Sequence, residues 1–195
     1  MSHSALRYTR SVKLLLTGPR GVGKSTLIAH VLARTGVCYG GFRTERAPDG
    51  TVWLHDLLSG DRAPVGRYDP RARRMCPLPV GFENLGVRAL QRALQEQHVE
   101  LLVLDELGWL EGEADCPRFR ATVRAAFLSA KPLLGVLRAG QEQFWREILS
   151  LPGVELIEVT QANRERLVSM LIMKLGWGES DEREDAAADR GLVAR

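Results

Sequence analysis

Apolar and polar positions alternate in a way that divides the chain into strands and helices. A short apolar run from Val12 to Thr17 stops at Gly18, and from Ser25 onward Leu27, Ile28, Val31 and Leu32 recur at helical spacing until Gly36. That order predicts strand, loop, helix. Between Val37 and Tyr68 the pattern shortens into CYGGFRTER, TVWLHDLL and RAPVGRY, separated by Pro48-Asp49-Gly50 and Ser59-Gly60-Asp61, which is the turn chemistry of antiparallel hairpins. A helix is expected from about Asn84 to Gln97, with Leu90 and Leu94 on its buried side. The run Val99 to Leu104, apolar except for Glu100, then suits a central parallel strand ending in Asp105-Glu106.

Further along, Phe119, Val123, Ala126, Phe127 and Ala130 share one helical face, and Pro132 introduces a second buried strand, LLGVL. Phe144, Trp145, Ile148 and Leu149 mark a shorter helix, Val154 to Val159 a last strand, and Asn163 the cap of a helix carrying Leu167, Met170, Leu171 and Lys174. Strands alternating with helices point to an α/β sandwich with a mostly parallel sheet and early antiparallel hairpins. The expected division is a flexible start over 1–11, one domain over 12–177, and a disordered tail over 178–195, where ESDEREDAAADRGLVAR has too few apolar residues to pack.

Composition narrows the function classes. The hydrophobic and charged fractions, 45% and 26%, are ordinary for a soluble protein. No run approaches the roughly 20 apolar residues of a membrane span. The start, MSHSALRYTRS, lacks the apolar centre of a secretory signal, so a cytoplasmic location and no membrane partner are expected. Cys38, Cys76 and Cys116 are widely spaced and read as free thiols, while His3, His30, His55 and His98 make no metal-ligand spacing. Any metal is therefore expected to arrive with a ligand. The pI near 9.0 comes from scattered arginines, and the densest group, Arg62, Arg67, Arg71, Arg73 and Arg74, has only Tyr68 as an aromatic. Nucleic acid is not the expected partner. The group reads first as a solvated loop, second as a patch facing phosphate or a protein partner.

The stretch between the first strand and helix changes the picture most. Gly18-Pro19-Arg20-Gly21-Val22-Gly23-Lys24-Ser25 satisfies GxxxxGK[ST] in the strand-to-helix context that the motif requires. Glycines let backbone N–H groups converge on phosphate oxygens, and the helix N-terminus adds partial positive charge. Nucleotide binding is therefore expected at residues Gly18 through Ser25 and at Thr26, with Lys24 reaching the terminal phosphates and the Ser25 hydroxyl on a magnesium ion. Asp105, at the carboxyl end of its strand, is expected to hold the same magnesium through water, and Glu106 to orient or deprotonate an attacking water. Arg138, after LLGVL, is the first choice for the arginine that stabilises transferring charge, with Arg20, Arg43 and Arg46 as alternatives. The nearest match to the guanine-reading [NT]KxD, Thr160 to Asn163, lacks its lysine and aspartate, which argues against a dedicated GTP switch.

From about Val12 to Leu171 the sequence resembles the THEP-type nucleoside-triphosphatase family. Beyond the phosphate loop, the matching pieces are Gly41-Phe42-Arg43-Thr44-Glu45, Val65-Gly66-Arg67-Tyr68, Asp105-Glu106-Leu107-Gly108 with Glu111, and Val154 to Thr160 leading to Asn163-Arg164. The resemblance implies a P-loop NTPase three-layer sandwich and slow, magnesium-dependent hydrolysis of nucleoside triphosphates to diphosphate and phosphate with loose base preference. It makes Glu106 the general base. Where the family usually has lysine after DE-x-G this chain has Trp109, which either alters the rate or stacks against a base, and Gly112 replaces a usual apolar residue. A nucleotide-controlled switch with a protein partner and a nucleoside or nucleotide kinase remain as alternatives, the arginine-rich stretch standing in for a kinase lid.

Overall fold

The computed structural model describes residues 11–177, so the expected tail and all but the last residue of the expected flexible start lie outside the described residues. Its strands are β1 (Lys13–Thr17), β2 (Tyr39–Arg46), β3 (Val52–Asp56), β4 (Arg62–Asp69), β5 (Arg74–Pro77), β6 (Leu101–Leu107), β7 (Leu133–Leu137) and β8 (Val154–Glu158). The helices are α1 (Lys24–Thr35), α2 (Pro79–Gly81), α3 (Val87–Gln95), α4 (Leu110–Glu113), α5 (Pro117–Leu128), α6 (Arg146–Leu149) and α7 (Arg164–Lys174). A π turn at Phe82–Gly86 joins α2 to α3, and a 3-10 turn, Glu142–Trp145, precedes α6.

All eight strands form one sheet in the order β5-β4-β3-β2-β6-β7-β1-β8. The half from β2 to β8 is parallel, whereas β2 through β5 pair antiparallel, so the hairpins extend the sheet instead of forming a separate lobe. Strand alternation explains the three layers, because successive side chains point to opposite faces. On β1, Leu15 enters the core shared with Phe42, Phe82, Leu90 and Phe119, while Leu14 and Leu16 enter the core shared with Ile28, Val31, Leu167 and Leu171. On β6, Leu102 and Leu104 go one way, Leu101 and Val103 the other. The first core is covered by α3 and α5, the second by α1 and α7. No helix among the described residues is long and apolar enough to cross a membrane.

Several elements depart from the sequence expectation. The arginine-rich stretch is only partly a loop: Arg71 and Arg73 lie in an exposed turn, but Arg62 and Arg67 lie on β4 and Arg74 opens β5, with Arg62 stacked 4.7 Å over the Trp53 ring. Pairing from Tyr68 to Met75 and from Arg67 to Cys76 supplies the strand signal that a charged sequence hides. The helix expected from Asn84 starts earlier, at Pro79, and passes through the π turn. Asn163 is at the cap position of α7, but its Oδ1 accepts the Thr160 N–H at 2.8 Å and its Nδ2 donates to the Glu158 carbonyl at 2.8 Å, so it braces the preceding loop. Inside the apolar β1, Lys13 is 2% exposed. Its Nζ donates to Ser11 Oγ at 3.0 Å, to the Ser129 carbonyl at 2.9 Å and to the Lys131 carbonyl, while burial pulls its pKa down to about 8.

Candidate active site

The phosphate loop leaves β1 at a point where only glycine fits. Gly18 has φ +135°, and a Cβ there would lie 2.4 Å from the Val159 carbonyl oxygen. Gly23, at the N-cap of α1 with φ 105°, turns the chain into the helix, and no side chain caps that end. The first-turn N–H groups of α1 are thus left facing the loop's concavity. Val22 is 8% exposed and packs into the core beneath, and its N–H donates to the Pro19 carbonyl at 3.3 Å. Lys24 is buried, with Nζ donating to the carbonyls of Gly18 at 2.8 Å and Pro19 at 2.9 Å. Its ammonium is therefore held across the mouth of the loop.

Long-range pairing brings the acidic residues to the loop. β7 separates β6 from β1, and across this gap Ser25 Oγ donates to Asp105 Oδ1 at 3.1 Å. Burial raises the Asp105 pKa, opposed by the Ser25 hydrogen bond; neighbouring Glu106 also raises it, and Arg43 and Lys24 lower it. Asp105 and Glu106 lie in the last part of β6, as expected, and the strand runs one residue further to Leu107, with a register break between Leu104 and Leu107. The break turns both carboxylates out of the core, leaving each half-buried. The Glu106 N–H donates to Thr44 Oγ1 at 3.4 Å on the neighbouring β2.

These residues line one cleft of about 600 Å³ at the carboxyl ends of the parallel strands. Gly18, Arg20, Gly21, Gly23, Lys24, Ser25, Thr26, Asp105, Glu106 and Arg138 are all on its wall. Pro19 and Val22, also expected to bind nucleotide, do not line it: Pro19 is exposed and Val22 is buried in the core. Among the arginine alternatives, Arg20 and Arg46 also reach the cleft; Arg43 does not line it and pairs with Glu45 at 3.3 Å. Arg138 follows β7 with its N–H donating to the Leu107 carbonyl at 2.9 Å, and its side chain lies beside Gly108, two residues past Glu106.

Val52, Met75, Phe82 and Leu110 also line the wall without having been singled out in the sequence, beside Thr44 and Trp109, which the family resemblance names. Together they come from five separate segments, and no local spacing relates them. Glu111 was noted only as part of a motif. Its carboxylate is 3% exposed, accepts the Gly108 N–H, and so braces the turn that carries Trp109; Trp145 Nε1 donates to the Gly108 carbonyl at 2.9 Å from the other side.

Burial pushes the Glu111 carboxyl up to about 7, against the pull of the backbone N–H groups of Glu111 and Gly108; Glu106 adds to the rise and Arg138 opposes it. The Cys116 thiol donates to the Glu111 backbone carbonyl at 3.3 Å. The folded state therefore keeps a proton that the unfolded chain releases between about 4.5 and about 7. Its contribution to stability is full below that window and is lost as pH rises through it, on the order of 3 kcal/mol at most. Glu111→Gln is expected to flatten the decline of melting temperature across the window. Parallel melting curves for the two proteins would contradict this.

Ser25 Oγ and Asp105 offer hard oxygen donors side by side, the chemistry that magnesium takes. Among the described residues no group of three or more His, Cys, Asp or Glu is placed to hold a metal. Phosphate oxygens and water would have to complete an octahedral set here.

Comparison with known proteins bears on the family and the fold. The family model described as NTPase matches residues 13–172. The nucleoside-triphosphatase THEP1 of Thermotoga maritima is 32% identical over 177 residues, covering 86% of this chain and 99% of the relative. The human cancer-related nucleoside-triphosphatase is 29% identical over 178 residues, covering 82% and 94%. The crystal structure of THEP1 from Aquifex aeolicus superposes with a TM-score of 0.69 at 24% identity, over 85% of this chain and 99% of that one, and shares the fold. The resemblance read from the motifs is borne out, and the chain belongs to the NTPase family.

Proposed function

We propose that the chain hydrolyses nucleoside 5'-triphosphates to diphosphate and phosphate in a magnesium-dependent reaction with loose base preference. The observation that carries this is the 3.1 Å bond from Ser25 Oγ to Asp105 Oδ1 in the cleft that also holds Lys24 and Glu106. The relatives named above as nucleoside-triphosphatases support it, and those names specify no base. Residues 12–177 form the catalytic domain in this proposal, and a cytoplasmic setting accords with three free cysteines.

The backbone N–H groups of Gly21, Gly23, Lys24, Ser25 and Thr26, all on the cleft wall, bind the phosphates and fix their direction. Lys24 exchanges its loop carbonyls for terminal phosphate oxygens, as a point charge at the end where negative charge accumulates. Ser25 Oγ and Asp105, the latter through water, would hold magnesium. When bound, the ion neutralises charge on the terminal phosphates. Glu106 orients a water and accepts its proton as the water oxygen bonds to the terminal phosphorus and the bond from that phosphorus to the bridging oxygen breaks, the diphosphate leaving with the electron pair. Arg138, beside Gly108, offsets charge on the phosphoryl oxygens.

Free phosphate released from ATP tests the proposal. Release is expected in magnesium, to fall to background when a chelator removes the metal, and to return when magnesium is restored. Release that ignores the chelator would contradict the assignment of Ser25 and Asp105.

A further inference from the structure

The cleft is larger in kind than hydrolysis requires. Its polar half belongs to the loop and to Asp105 and Glu106. Because β6 stands between β7-β1 on one side and β2 through β5 on the other, Val52 of β3 and Met75 of β5 lie beyond Glu106 as seen from the loop. Trp109 and Leu110 share the wall with them. The Leu110 methyls cover Gly66 so tightly that a Cβ there would lie 3.2 Å from each, and 3.4 Å from Met75 Sδ. Val52, Met75, Trp109 and Leu110 are all half-buried, and each contributes to the cleft wall.

A triphosphate held by the loop has a direction. The loop amides take the inner phosphates, and Lys24 and the magnesium ligands take the outer ones, so the terminal phosphoryl group faces Glu106 while ribose and base leave from the opposite end. The base of the bound nucleotide therefore does not reach the apolar half. Water as nucleophile has no use for an indole, a thioether and two aliphatic side chains, which together form the wall of a site for an organic molecule.

Resting on the proposed triphosphate orientation, we propose that the apolar half is an acceptor subsite. It takes a small molecule with a flat ring and a free hydroxyl, and transfers the terminal phosphoryl group to that hydroxyl in competition with water. The ring lies against Trp109 and Met75, and the hydroxyl sits at Glu106. Arg46, on the same wall, offers a cation for a polar or anionic substituent. The hydroxyl oxygen bonds to the terminal phosphorus while the bond from that phosphorus to the bridging oxygen breaks. The nucleoside diphosphate leaves with the electron pair, the hydroxyl proton passes to Glu106, and the acceptor becomes a phosphate monoester.

Adenosine and uridine are suitable probes, since each joins a flat base to ribose hydroxyls. The full chain is incubated with ATP and magnesium, with and without each nucleoside, and ADP, free phosphate and phosphorylated nucleoside are quantified. ADP is expected to exceed free phosphate when nucleoside is present, the difference being recovered as nucleoside phosphate. In Trp109→Ala the ratio of nucleoside phosphate to free phosphate is expected to fall about fivefold to tenfold, a ratio that does not depend on how much of the variant is folded. ADP equal to free phosphate with both nucleosides, or an unchanged ratio in the variant, would overturn the subsite. A protein inert toward ATP alone yet active with nucleoside would support the subsite and overturn hydrolysis. One inert in every arm would overturn both.

Discussion

Replacing Lys24 with alanine is expected to lower phosphate release from ATP by about 10²-fold to 10³-fold, the range seen when one preorganised donor is removed from a site of developing charge. Lys24 is 9% exposed, and its ammonium already lies within 2.9 Å of two loop carbonyls, so little rearrangement separates it from phosphate oxygens. The loss has two parts. One is the charge itself, acting in a partly desolvated cleft where electrostatic interactions exceed those in water. The other is the tether to Gly18 and Pro19, which helps shape the loop. Lys24→Arg separates them: a guanidinium keeps the charge, but its broad fork does not match a point contact between loop and phosphate, so its activity is expected to stay near that of alanine. Phosphate release and ATP affinity, measured on both variants, check this. Wild-type turnover in Lys24→Ala would remove the lysine from the mechanism.

Glu106→Gln is expected to retain ATP binding and to lose about 10²-fold to 10⁴-fold in hydrolysis, the usual contribution of a positioned general base. The substitution preserves shape and the backbone bond to Thr44 while removing the proton acceptor. Ser25 and Asp105 are untouched, so magnesium and phosphate binding are expected to persist. A fall in kcat with affinity nearly unchanged distinguishes this outcome from misfolding, which would lower both binding and the melting temperature. Hydrolysis at the wild-type rate would leave Glu106 without its role.

The residues bearing phosphate chemistry were legible because their signal is local. Gly18 to Ser25 sits between an apolar run and a helical repeat, and β1 and α1 fall within a residue of the expected bounds. Asp105 was identified through a second local signal, the apolar run before it, and parallel topology does the rest by delivering its carboxylate to Ser25 across 80 positions of sequence. What stayed hidden depends on pairings that leave no local trace. β5 begins at Arg74 in a stretch whose charges suggest solvent, and only its register against β4 makes it a strand. Glu111 reads as one more acid in LEGEAD, yet burial and the Gly108 N–H make it an internal brace. Lys13 sits in an apolar run because carbonyls at Ser129 and Lys131, more than a hundred positions away, receive its ammonium. The apolar half of the cleft is hidden for the same reason: Val52, Met75 and Phe82 become neighbours only when the hairpins extend the sheet.

The central claim, that the loop from Gly18 to Ser25 grips a triphosphate whose outer end faces Asp105 and Glu106, is tested most directly by a crystal structure with a non-hydrolysable ATP analogue and magnesium. Phosphate oxygens within hydrogen-bond distance of the loop amides and Lys24 Nζ, with the metal on Ser25 Oγ, are the predicted result. An analogue bound with its phosphates away from the loop, or with its base seated against Trp109 and Met75, would contradict it.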